Sequence, residues 1–153
     1  MMRWGGFLIA VMLATAPAAP AAAQTATAAE QAAALAGPWR GIWHRDEPYY
    51  QYAGVMTRTP KAGGRVEGAI SWTLLRSPLA SEQAKIGMKG IEYVEGQYDP
   101  ATGALNFAGV KVDDPNRILG MDRYRLVMSE NGKVITGLTR GDGAWLGQLD
   151  LLR

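Results

Sequence analysis

Val94-Glu95-Gly96-Gln97-Tyr98-Asp99-Pro100-Ala101-Thr102-Gly103-Ala104-Leu105-Asn106-Phe107-Ala108-Gly109 holds two runs of period-two alternation on either side of a turn. Alternate residues of a strand share a face, so Val94, Gly96 and Tyr98 lie together, as do Leu105, Phe107 and Gly109, while Glu95, Gln97 and Asn106 take the other side. The intervening Asp-Pro-Ala-Thr-Gly has the composition of a tight turn. The stretch therefore predicts a hairpin with one apolar face and one solvated face. On the apolar face each strand sets a bulky residue two positions before a bare glycine.

The same unit recurs along the chain, as Trp39-Arg40-Gly41, Val66-Glu67-Gly68, Ile135-Thr136-Gly137 and Trp145-Leu146-Gly147. Period-two runs fall at about 39–45, 50–58, 65–75, 91–98, 104–112, 121–128, 134–140 and 144–152. Turn-forming segments separate them, among them Pro60-Lys61-Ala62-Gly63-Gly64, Asp113-Asp114-Pro115-Asn116 and Glu130-Asn131-Gly132-Lys133. Only 76–90 is long enough for anything else, and a single helical turn after Pro78 fits there. A glycine beside a large residue lets a strand bend sharply, which a small closed barrel needs and a flat sheet does not. The fold class predicted is all-β, a small eight-stranded antiparallel up-and-down barrel whose closure removes the edge strands.

This architecture resembles the calycin group of lipocalin and avidin barrels, and Gly37-Pro38-Trp39 opening the first strand is similar to the lipocalin Gly-x-Trp. A lipocalin usually adds a helix after the barrel. This sequence ends at Leu151-Leu152-Arg153, within or just past the eighth strand, nearer the compact avidin outline. No avidin ligand-contacting set can be matched residue by residue. The resemblance implies a cup able to hold a small molecule and does not identify one.

Residues 1–23 read as a secretory signal peptide, with Arg3 first, an apolar stretch from Phe7 to Ala14, and small residues at Ala21 and Ala23. Cleavage is expected after Ala23, with a periplasmic or secreted location. Pro17 and Pro20 interrupt the apolar segment before it reaches spanning length, so no membrane span is expected in the mature chain. Residues 24–36 are Ala-rich and read as a tether or frayed helix. The composition changes at Gly37, and residues 37–153 are taken as the barrel domain.

Composition narrows function. The chain has 153 residues, a formal charge of +2, no cysteine and one histidine. That charge disfavours a nucleic-acid partner. Disulfides, cysteine nucleophiles, thiolate metal sites and any site with two histidine ligands are excluded. No phosphate loop, dinucleotide fingerprint or nucleophile elbow occurs, and no cofactor is implied.

With the glycine-bearing face inside, the lining is apolar and aromatic: Trp39, Trp43, Ile70, Trp72, Val94, Phe107, Ile135, Trp145 and Leu149 all point inward. Arg40, His44, Glu67, Glu95, Asn106 and Asp150 point out. Two acids break the pattern, since Glu92 shares a face with Val94 and Tyr98, and Asp122 shares one with Tyr124 and Leu126. A carboxylate facing a barrel interior must be hydrogen-bonded, paired, protonated or in contact with water or ligand. One reading is a ligand-binding site at the mouth made by Trp43, Trp72, Glu92, Asp122 and Tyr124, suited to a donor or cationic group above an apolar body. The other is that both acids reach the rim and bond loop amides.

Other chemistry is weaker. His44, beside Arg45, Asp46 and Glu47, points outward and makes a poor general base. Glu92 and Glu95 lie on opposite faces and cannot form a glycosidase pair, while Glu92 with Asp122 depends on strand register. Asp99 and Asp113-Asp114 sit in turns, with no calcium-loop spacing, so no metal site is expected. In Tyr49-Tyr50-Gln51-Tyr52 the alternation leaves at least one tyrosine exposed, and with Arg45 and Arg58 nearby this has the composition of a protein-binding surface or of rim packing. The expectation is a non-catalytic barrel holding a small hydrophobic or amphipathic ligand. The alternative is a filled barrel acting on a protein partner through its outer surface and loop 76–90, and a small hydrolase stands third.

Overall fold

The computed structural model describes Glu30, Ala33, residues 35–141 and residues 143–153. The expected signal peptide, its cleavage site and most of the expected tether lie outside the described residues. Eight strands follow one another: β1 (Gly37–Arg45), β2 (Tyr50–Pro60), β3 (Arg65–Arg76), β4 (Lys89–Asp99), β5 (Ala104–Asp113), β6 (Arg123–Met128), β7 (Val134–Arg140) and β8 (Gly147–Leu152). Each pairs antiparallel with the next and β8 pairs back to β1, closing an up-and-down barrel. This is consistent with a calycin-like architecture. Two short 3₁₀ turns, Ala62–Gly64 and Ala80–Lys85, are the helical elements between strands, the second in the loop expected to hold one helical turn.

The inward faces meet in one apolar core built from Trp39, Met56, Ile70, Trp72, Val94, Leu105, Phe107, Tyr124, Leu126, Ile135, Leu149 and Leu151. Burying each large side chain contributes about 1.5–3 kcal/mol. The repeated glycines let the strands converge. A methyl group on Gly41 would overlap the backbone carbonyl oxygen of Asp150 on β8; at Gly68, Gly96 and Gly137 it would overlap carbonyls of Thr57, Asn106 and Arg125 on the adjacent strands.

Four expectations change. Leu35, within the supposed tether, is fully buried, and its carbonyl accepts the Trp39 indole N–H at 3.4 Å, so this residue plugs one end of the barrel. Trp145 points outward: β8 begins at Gly147, so strand alternation does not extend back to it. Arg58 is buried rather than displayed, because it shares parity with Tyr52, Gly54 and Met56 and enters the barrel beside the Trp39 ring, 5.1 Å from its centroid. Burial, with Arg153 nearby, pulls its guanidinium down to about 10. None of Tyr49, Tyr50 and Tyr52 is exposed; all three are partly buried, with Arg76 over the Tyr49 ring and Arg45 over that of Tyr50.

Gly41→Ala is expected to destabilise the barrel by about 3 kcal/mol or more, since the obstructing atom is backbone and cannot swing away. Urea unfolding of the two proteins measures this. An unchanged midpoint would show that closure does not depend on the bare position.

Candidate functional site

The end of the barrel formed by the β1–β2, β3–β4, β5–β6 and β7–β8 connections opens into a cavity of about 380 Å³. Trp43, Trp72, Glu92, Asp122 and Tyr124 all line it, together with Arg45, Tyr50, Tyr52, Glu82 and residues 117–120. Strand parity brings them together. Trp43 sits near the end of β1, Tyr52 near the start of β2, Trp72 late in β3 and Glu92 early in β4, all on inward positions at one end. Asp122 lies one residue before β6, and Tyr124 is its first inward residue.

The aromatic wall is built on glycine. Trp72 lies across Gly54, where a methyl would sit 2.6 Å from its ring, and Trp43 lies across Gly147 while its indole N–H donates to Thr139 Oγ1 at 2.6 Å. Tyr52 stands between the two indoles, edge to face with Trp43 at 5.5 Å and with Trp72 at 6.2 Å. Such edge contacts between rings favour a fixed arrangement.

Glu92 forms the floor. It is 1% exposed, and three donors converge on its carboxylate: the Trp72 indole N–H at 3.1 Å and the Tyr124 hydroxyl at 2.5 Å on Oε2, and the Asp122 backbone N–H at 2.9 Å on Oε1. β5 lies between β4 and β6, and Gly109 makes the crossing possible, because a methyl there would overlap Glu92 Oε1. The three donors favour the charged carboxylate, but burial outweighs them and, with the Asp122 charge nearby, pushes Glu92 up to about 7. The Tyr124 hydroxyl is pushed well above its ordinary range by burial and by Glu92; Tyr52 also rises, chiefly through burial. Of the two sequence-level readings of Glu92, rim bonding to loop amides describes only its Asp122 contact. The side-chain donors Trp72 and Tyr124 hold it inside.

A strap from Asp114 to Asp122 crosses the mouth. Asp114 Oδ2 accepts the backbone N–H groups of Ile118 and Leu119, each at 2.6 Å. Tyr52 donates its hydroxyl to the Ile118 carbonyl at 2.6 Å, Lys85 Nζ donates to the Arg117 carbonyl at 3.0 Å, and Asn116 Nδ2 donates to the Lys89 carbonyl at 2.9 Å. Asp99 likewise organises its own turn, accepting from Ala101 N–H and Thr102 Oγ1. Among the described residues no group of three or more potential metal ligands occurs. His44 lies off the cavity wall with Nδ1 3.3 Å from Asp46 Oδ1. A second cavity, against Leu35, Val66 and Tyr98 at the opposite end, holds no comparable buried carboxylate.

The chain matches no protein-family model, and no curated protein matches it.

Sequence reasoning missed Tyr52 as a wall residue, Thr139 as the Trp43 acceptor and the strap. Parity with Gly54 and Met56 was the available signal for Tyr52. The strap had none, because Asp-Pro-Asn signals a turn and not where the turn will fold.

The raised Glu92 value gives stability a pH dependence. The folded protein holds this proton between its ordinary value near 4.5 and about 7, so the contribution is full below about 4.5 and is lost as pH rises through 7. About 3 kcal/mol is at stake. Glu92→Gln should flatten that part of the profile of thermal unfolding between pH 4 and 8, whereas parallel wild-type and variant profiles would place the titration elsewhere.

Proposed function

We propose that this protein is an exported, non-catalytic barrel of calycin type that binds a small amphipathic molecule, with an apolar body between Trp43, Tyr52 and Trp72 and an ammonium or hydrogen-bond-donor group toward Glu92 and Asp122. The observation that carries the reading is a buried carboxylate on the floor of an aromatic-walled cup. Burying a carboxyl is costly, and an apolar side chain of similar volume would fill the space more stably. A ligand that needs the acid gives a reason for its presence. The volume falls within the roughly 300–1,000 Å³ typical of small-molecule sites. Cations are also favoured over aromatic faces.

The alternative reading, a protein-interaction module acting through loop 76–90, is supported by Leu79, Ile86 and Met88, which are exposed in that loop.

Two experiments separate these readings. Native mass spectrometry of gently purified protein should show an added mass of a few hundred daltons that vanishes on denaturation. Tryptophan fluorescence titrations with phenethylamine, phenethyl alcohol and phenylacetate, which differ only in the head group, should rank the amine first, by about tenfold over the alcohol. Glu92→Gln should erase that ranking, and Trp72→Ala should weaken all three. The amine should bind more tightly as pH rises through about 7, as Glu92 ionises. A bare protein that binds none of the three probes would leave the loop surface as the better reading.

A further inference from the structure

The outer face of β6 and β7 carries a second, separate arrangement. Register sets Arg123 opposite Arg140, Arg125 opposite Leu138 and Val127 opposite Thr136, and the side chains of all six point away from the core. Trp145, in the connection just before β8, lies on this face with the Arg125 guanidinium 4.5 Å and the Arg140 guanidinium 5.3 Å from its ring. Three features need explanation together. Like charges directly opposite on paired strands are destabilising, yet Arg123 faces Arg140. Among the described residues the ion pairs are His44 with Asp46 and Lys61 with Glu67, so none of these three arginines pairs with a described carboxylate. Beside them Val127, Leu138 and Leu146 are 51%, 50% and 58% exposed; Val110, Met121 and Leu152 are the other large apolar side chains of the described residues more than half exposed, and none of them is paired in register with any of the three arginines.

We propose that this face docks on the surface of an anionic lipid bilayer. A free oxyanion would be served by the guanidinium groups alone and would leave the aliphatic residues without a purpose. An acidic protein would satisfy the charge, but a headgroup layer over acyl chains satisfies the whole set: anions for the arginines, an interfacial level for the indole and a shallow apolar layer for Leu138, Leu146 and Val127. Stacking on Trp145 holds two guanidinium groups against the indole, so they reach the surface with fewer rotamers to lose. The attachment is peripheral and uses the outside of the barrel wall, so it is independent of the cup.

The test is sedimentation of the purified protein with vesicles of phosphatidylcholine alone and of phosphatidylcholine mixed with phosphatidylglycerol, at low and high salt. Binding is expected to the acidic vesicles and to fall with salt, since exposed charges are screened. Arg123→Gln combined with Arg140→Gln should weaken partitioning roughly 25-fold, from about 1 kcal/mol for each basic residue at an acidic surface. Arg40→Gln with Arg65→Gln removes the same charge from other parts of the wall and should leave most of the binding. Leu138→Ser with Leu146→Ser should weaken it with the charge unchanged; circular dichroism melts establish that each variant is folded. No binding to acidic vesicles, or equal binding to neutral ones, overturns the proposal. Equal losses from the two arginine pairs reduce it to non-specific basicity, and full binding by the leucine variant replaces the bilayer with a soluble polyanion.

Discussion

The barrel closes only because neighbouring strands can approach where no side chain stands between them. At Gly41, Gly68, Gly96 and Gly137 the space a methyl would occupy already belongs to a carbonyl of the adjacent strand. Side chains at these positions would push the strands apart and weaken the closure that leaves no edge strand unpaired. Convergence brings Trp39, Ile70, Phe107, Leu126 and Leu149 into one core. Everything at the mouth is placed relative to that closure.

The cup uses the same device for another purpose. Gly54 and Gly147 leave room for indoles, and Gly109 leaves room for a carboxylate that spans from β4 across β5 to an amide at the start of β6. Glu92 therefore links three strands and the end of the strap through hydrogen bonds that no two neighbouring strands could make alone. Its cost is borne in a cavity that opens to solvent at the barrel mouth. Stability is spread through the rest of the barrel, and the site is concentrated on one buried, adjustable charge.

The inner and outer faces differ in character. Inside, acids and aromatic rings converge on a small volume; outside, Arg123, Arg125 and Arg140 are spread with Trp145 and exposed aliphatics along two strands. A barrel wall one residue thick can hold both, since successive residues of a strand face opposite ways. Arg123, Tyr124 and Arg125 show this in three consecutive positions, with the tyrosine bonded to Glu92 and its neighbours in solvent.

Period-two alternation and the bulky-x-glycine unit were enough to determine an all-β barrel of eight strands, to separate inner from outer positions on most of them, and to single out Glu92 and Asp122 as acids on the wrong face. Those are local properties, set by the geometry of an extended chain. Alternation failed where the chain left a strand, as at Trp145, and Arg58, named only as a neighbour of the tyrosines, shares the inward parity of Met56. Only the tertiary structure decided that Glu92 meets Tyr124 and the Asp122 amide, that Tyr52 stands between two indoles, that Leu35 plugs the far end and that residues 114–122 strap the mouth. Apart from Leu35 with Trp39 and Tyr52 with Trp43, these contacts join segments 20 to 66 residues apart, and all rest on strand register, shear and loop packing, which alternation along a single strand does not encode.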